Sequence, residues 1–120
     1  MRTIATPHVP HGWEAQVLFD ETTRTLFCGD LFGQTGDGPA IVHDVDLIGP
    51  ALAAEDLFHA TSLTPDIAPT LRRLAELEPR TLALMHGPAY AGDCVQAIHD
   101  LADAYEARVG GAFELAGAAR

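Results

Sequence analysis

Three short segments combine side chains that bind metals or carry protons with glycine or proline. They are residues 6–14 (Thr-Pro-His-Val-Pro-His-Gly-Trp-Glu), residues 28–32 (Cys-Gly-Asp-Leu-Phe) and residues 85–88 (Met-His-Gly-Pro). Neutral imidazole and carboxylate are ligands that zinc, iron and manganese accept. His11, Asp30 and His86 are therefore the candidate metal ligands. Asp30 is also the candidate catalytic residue, because a carboxylate with two oxygens can bridge two ions. His86 precedes Gly-Pro, a rigid exit that sets its direction, and His11 lies beside two prolines that restrict its loop. Such rigidity matters because metal geometry tolerates little error. His8, three residues before His11, is an alternative ligand, or a group that orients one.

The elements needed to hold these residues can be read from the pattern. Arg2 to Thr6 reads as a short strand, and Pro7 to Gly12 as a loop. Ala15 to Phe19 and Arg24 to Cys28 are apolar and β-prone, and the polar stretch 20–23 makes them a hairpin. Gly33 to Pro39 is a glycine-rich loop. The stretch from Ile41 to Ala60 is ambiguous, with a short helix near Pro50 to Phe58. A clearer helix begins with Thr64 as N-cap and Pro65 in the first turn. Ile67, Leu71, Leu74 and Leu77 form its apolar face, and Pro79 lies just beyond. Thr81 to Met85 reads as a buried strand ending in His86-Gly87-Pro88. Asp93 to Val109 is a second helix with Cys94, Ile98, Leu101, Tyr105 and Val109 inward, stopped by Gly110-Gly111 and followed by a frayed tail. No internal repeat is visible. The order of strands and helices is that of a layered α/β domain.

With 120 residues, nearly half of them apolar, the chain suits one domain with a real core. No apolar run approaches membrane-spanning length, and no signal peptide precedes the first motif. Seventeen acidic residues face seven arginines and no lysine, for a formal charge of −10. This balance argues against nucleic acid and anionic membranes as partners. A small-molecule substrate is expected. Cys28 and Cys94 form neither a disulfide framework nor a zinc motif, so a reducing cytoplasm is expected.

Each of these residues also has a plainer reading. Asp30 could simply close a turn, and His86 could be a buried histidine satisfied by backbone groups. Trp13 reads as a packing residue. His43 and His59 match no motif. His99, Asp44 and Asp46 read as surface. Cys28 reads as an inert thiol in an apolar strand, and Cys94 as core.

The segment from Thr6 to Gln34, together with His86-Gly87-Pro88, resembles the C-terminal half of the metallo-β-lactamase fold. The likeness is to the branch that includes the oxygen-binding di-iron proteins. A histidine loop, a hairpin, an aspartate turn ending in Phe-Gly and a late His-Gly-Pro recur there in this order. The resemblance implies an α/β fold forming half of an αββα sandwich, a mixed sheet with helices packed on one face, over residues 1–120. It implies His11 as ligand of one metal, Asp30 as the bridging carboxylate and His86 as ligand of the other, with two ions of zinc or iron in a complete site. The family's main motif, His-x-His-x-Asp-His, is absent: no two of the six histidines have that spacing. A fragment, a natural half-domain and a degenerate relative are all consistent with this. Met1, just upstream of the His11 loop, fits a truncated frame, a misassigned start or a genuine one.

The resemblance implies that the complete protein is a metal-dependent hydrolase, in which a metal-activated water attacks an ester, thioester, lactone, amide or phosphodiester. A di-iron redox protein for oxygen or nitric oxide is the alternative chemistry. A non-catalytic half-domain, completed by an N-terminal half or by a second copy in a homodimer, is the alternative of a different class.

Overall fold

A computed structural model describes residues 1–7, 9–10, 15–29, 31–34, 39–43, 45–58 and 64–118, with side chains through 110. Six strands form one mixed sheet: β1 (Arg2–Ala5), β2 (Gln16–Asp20), β3 (Thr25–Phe27), β4 (Ile41–Val42), β5 (Thr81–Ala83) and β6 (Ala89–Tyr90). The helices are α1 (Ile48–Phe58), α2 (Ile67–Ala75) and α3 (Cys94–Ala118). The strand order is β1-β2-β3-β5-β6-β4. The first three strands are antiparallel neighbours, β3 and β5 are parallel, β5 and β6 antiparallel, and β6 and β4 parallel.

The predicted hairpin is present, and its turn is held by Asp20. The Asp20 carboxylate accepts the backbone N–H of Thr22 (3.1 Å) and the hydroxyl of Thr23 (2.8 Å). These two bonds hold its pKa below the ordinary value. Arg24 then adopts a left-handed backbone (φ 55°) and sends its guanidinium to the carbonyls of Leu77 (2.9 Å) and Glu78 (2.8 Å). The backbone carbonyl of Arg24 accepts from Arg80. The hairpin is thus pinned to the turn that leads from α2 into β5.

Pairing aligns Phe19, Leu26, Leu82 and Tyr90 in one row across the sheet. All four are buried in one core with Ile67, Leu71 and Leu74 of α2 and Ile98, Leu101 and Tyr105 of α3. Alternation in the strands puts Thr3, Leu18, Phe27 and Ala83 in a row on the opposite face. There Leu18 and Phe27 are 41 % and 40 % exposed. The sheet therefore has one face covered by helices and one face open among the described residues, as expected for half of a sandwich. Ion pairs tie the helices together: Arg72 to Asp103 (2.9 Å) and Glu106 (3.1 Å), and Arg108 to Asp56 (2.9 Å).

Several expectations need correction. Thr64 is not the N-cap: α2 starts at Ile67, Asp66 occupies the cap without a side-chain bond, and the Thr64 hydroxyl is buried with no partner among the described residues. The strand expected to run to Met85 stops at Ala83, and Met85 is 67 % exposed. Helix α3 does not stop at Gly110-Gly111 and continues to Ala118. A glycine costs a helix only about 1 kcal/mol relative to alanine, and the residues beyond are good helix formers. The stop signal would have needed a left-handed cap. Within the ambiguous stretch, β4 precedes an α1 that begins at Ile48, where the Asp46 carboxylate accepts the N–H groups of Ile48 and Gly49. Asp46 is thus a helix cap as well as a surface residue. Strand β6 was not anticipated, because two residues carry no periodic signal. His99 is half-buried rather than solvated.

Candidate metal-binding rim

The strand directions bring three connections to one end of the sheet. β1 ends and β2 begins there, because Ala5 pairs with Gln16 and the N–H of Thr6 donates to Ala15. β3 and β5 both end there, because Phe27 pairs with Ala83 in parallel. The pairing continues past the strand ends. The Cys28 N–H donates to the Ala83 carbonyl (3.0 Å), the Met85 N–H to Gly29 (3.2 Å) and the Gln34 N–H to His86 (2.9 Å). Segments 28–34 and 84–88 therefore run side by side at the rim.

Local packing explains why these segments hold their place. Cys28, Leu31 and Phe32 are all buried, so the described residues on either side of position 30 are anchored in the core. Phe32 has a left-handed backbone (φ 61°), a strained state for an aromatic residue that costs about 1–3 kcal/mol and clusters at functional sites. The first connection is anchored by Thr6 and Val9, both buried, whose hydroxyl and backbone groups bond to each other.

His86 is exposed on the turn after β5, in agreement with a rim position and not with the buried reading. Its exit is sharp: Gly87 has φ 143°, and a Cβ there would come within 2.8 Å of Gln34 Cγ. Only glycine suits that backbone. His11 and Asp30 lie outside the described residues, as do His8, Trp13, Asp44 and His59. Among the described residues no three histidine, cysteine or acidic side chains gather around one point. His43 follows β4 at the opposite end of the sheet, where its Nδ1 lies 3.3 Å from the Ala91 carbonyl oxygen.

The chemistry of the rim suits a metal to this extent. An exposed imidazole stands on a rigid turn beside a segment whose sequence carries a carboxylate, and both belong to the donor types that zinc and iron accept. Sequence reading missed Gln34, whose Nε2 is buried with no hydrogen-bond partner among the described residues. Within a glycine-rich stretch nothing marked it out.

The two thiols are not site groups. Burial pushes the Cys28 thiol far above its ordinary value, and the Cys94 thiol up to about 11. A shallow cleft of about 130 Å³ lies elsewhere, between residues 45–48 and the start of α3. Its aspartates have structural work: Asp46 caps α1, Asp93 accepts the Gln96 N–H, and Asp100 accepts the Gln96 side chain.

No family model matches the chain, and no curated protein matches it. Solved structures do. The chain superimposes on the peroxy diiron species of the chemotaxis sensor ODP with a TM-score of 0.63 and 21% identity, over 87% of this chain and 44% of that one. The apo state of the sensor from T. denticola gives 0.62 and 21%, over 87% and 43%. A fragment of diflavin flavoprotein A 5 from Nostoc sp. PCC 7120 gives 0.56 and 20%, over 96% and 43%. The chain has half of a metallo-β-lactamase fold. It spans less than half the length of the solved proteins it matches. In this half-fold the helices cover one sheet face, and no helix among the described residues is long and apolar enough to cross a membrane.

Proposed function

We propose that the chain is the C-terminal half of a dinuclear metal protein, with His11 and His86 each holding one ion and Asp30 bridging both. One observation carries this reading. The described residues on either side of position 30 are hydrogen-bonded to the turn that contains His86, through Gly29 to Met85 and Gln34 to His86. They lie at the end of the sheet where the connection bearing His11 leaves and re-enters. Two ions bound there would polarise a substrate or a coordinated small molecule. The chain's own contribution is to orient the ligands: Leu31 and Phe32 lock one turn into the core, and Gly87 fixes the direction of the other.

Iron, with dioxygen or nitric oxide as substrate, is the reading that the likeness to a diiron sensor favours. Hydrolysis of an ester, thioester, lactone, amide or phosphodiester, the reading drawn first from the sequence resemblance, is the second. The open sheet face bearing Leu18 and Phe27 is where an N-terminal half would pack, whether in a longer chain or as a separate one.

The test supplies that half, as a longer reading frame or a separate chain, and measures iron content, dioxygen consumption and turnover of a generic ester or phosphodiester. Iron-dependent dioxygen consumption that Asp30→Ala abolishes is the expected result. Zinc-supported hydrolysis with the same dependence would select the second reading. Neither activity, with no bound metal, would leave a non-catalytic half-domain.

A further inference from the structure

We propose that Gln34 binds the ligand held at this rim, its side-chain amide donating a hydrogen bond to a carboxylate or carbonyl oxygen of that ligand. The proposal rests on the reading of the rim as a binding site. Its basis is that the Gln34 Nε2 is sealed from water and has no hydrogen-bond partner among the described residues. A native fold seldom keeps a buried N–H without an acceptor, because the group forfeits its hydration and gains nothing. The side chain is stowed across Gly87: a Cβ on that residue would lie 2.8 Å from Gln34 Cγ and 3.4 Å from Cδ. Leu84, which also borders that position, offers no side-chain acceptor. The backbone of Gln34 is meanwhile fixed to His86 through its own N–H.

The anchor is thus rigid and the side chain is not. The Cγ–Cδ torsion of glutamine is broad, so the amide can turn from its stowed place beside Gly87 toward a ligand beside His86. That turn exchanges an unpartnered buried donor for a paired one. A neutral amide donor does not itself select charge. The formal charge of −10 on the chain repels a doubly charged phosphate more than a singly charged carboxylate and does not oppose an uncharged carbonyl.

The chain contains three glutamines, Gln16, Gln34 and Gln96, and no asparagine, so its side-chain amides form only three pairs of NMR signals. Gln34→Met identifies one pair by its loss. Should that variant not fold, Gln16→Met and Gln96→Met identify it by elimination. Titrating the ¹⁵N-labelled full chain with acetate should shift the Gln34 pair several-fold more than the other two, both zinc-free and zinc-loaded. A Gln34 pair that acetate leaves unmoved in both states, or that inorganic phosphate moves and acetate does not, overturns the proposal. The metal reading is checked apart from it: His86→Ala should weaken zinc binding at least tenfold, whereas Gln34→Met should change it less than twofold. Unchanged zinc affinity in His86→Ala would sink the metal reading, while the acetate response of the zinc-free chain would still decide the role of Gln34.

Discussion

The backbone N–H of Gln34 donates to the carbonyl of His86 across 2.9 Å, joining two turns that lie fifty-two positions apart in the chain. The bond extends the β3–β5 pairing past the end of both strands. It makes the direction of His86 depend on the loop after residue 30. A change on either side of the bond should be felt on the other.

Gly87 is the most sensitive point of that arrangement. Gly87→Ala would place a methyl group 2.8 Å from Gln34 Cγ on a backbone with φ 143°. We expect a loss of about 1–3 kcal/mol in stability, read by urea unfolding, and a shifted His86 ring signal in NMR. An alanine variant as stable as the parent would show that the turn is free to relax.

Arg24 should matter for the fold and not for the rim. Its guanidinium reaches the carbonyls of Leu77 and Glu78, and its backbone holds Arg80. Arg24→Ala should destabilise the chain by about 1–2 kcal/mol, the range for hydrogen bonds from a charged donor discounted for partial exposure. Zinc affinity should stay unchanged. A neutral effect on unfolding would mean that the turn from α2 to β5 holds without its clamp.

The buried thiols predict an alkaline weakness. Burial raises both pKa values in the folded state above an ordinary value near 9, that of Cys94 to about 11. The folded chain then keeps protons that the unfolded chain releases. Stability is full below pH 9 and falls as pH rises through the Cys94 window, by about 1.4 kcal/mol per pH unit for each thiol. Melting temperature against pH, compared with Cys94→Ala, reads this directly. A flat profile from pH 8.5 to 10.5 would contradict it.

How much of this was legible in the sequence depended on the length of each signal. The hairpin and the inward faces of α2 and α3 follow from apolar spacing sustained over several turns or strands, and their inward residues are buried as expected except Leu77, which lies past the end of α2 and is only partly buried. The parallel pairing of β3 with β5, which builds the rim, is a contact between distant segments that no local pattern encodes. The same is true of the exposed row of Leu18 and Phe27. The turn position of His86 was legible because Gly-Pro follows it. The burial of the Gln34 amide was not, because it depends on packing against Gly87, fifty-three positions away.

The open sheet face gives a prediction about assembly. Leu18 and Phe27 point away from the helical core, so changing them should spare the fold. We expect the parent chain to self-associate at high concentration in analytical ultracentrifugation. A Leu18→Lys, Phe27→Lys variant should sediment as a monomer, with folding stability within about 0.5 kcal/mol of the parent for each exposed change. Identical sedimentation of both proteins would remove this face as the docking surface.

Metal binding by the chain decides whether His11, Asp30 and His86 serve one metal centre. Equilibrium dialysis against zinc or ferrous iron should find weak, substoichiometric binding in the parent chain, because half of a complete ligand set is missing. Asp30→Ala should lower it most, since a bridging carboxylate serves both ions. His11→Ala and His86→Ala should each lower it as well, and His8→Ala should leave it intact. Binding that survives the loss of all three residues would exclude a shared centre there, and binding lost in His8→Ala but kept in His11→Ala would move the ligand to His8.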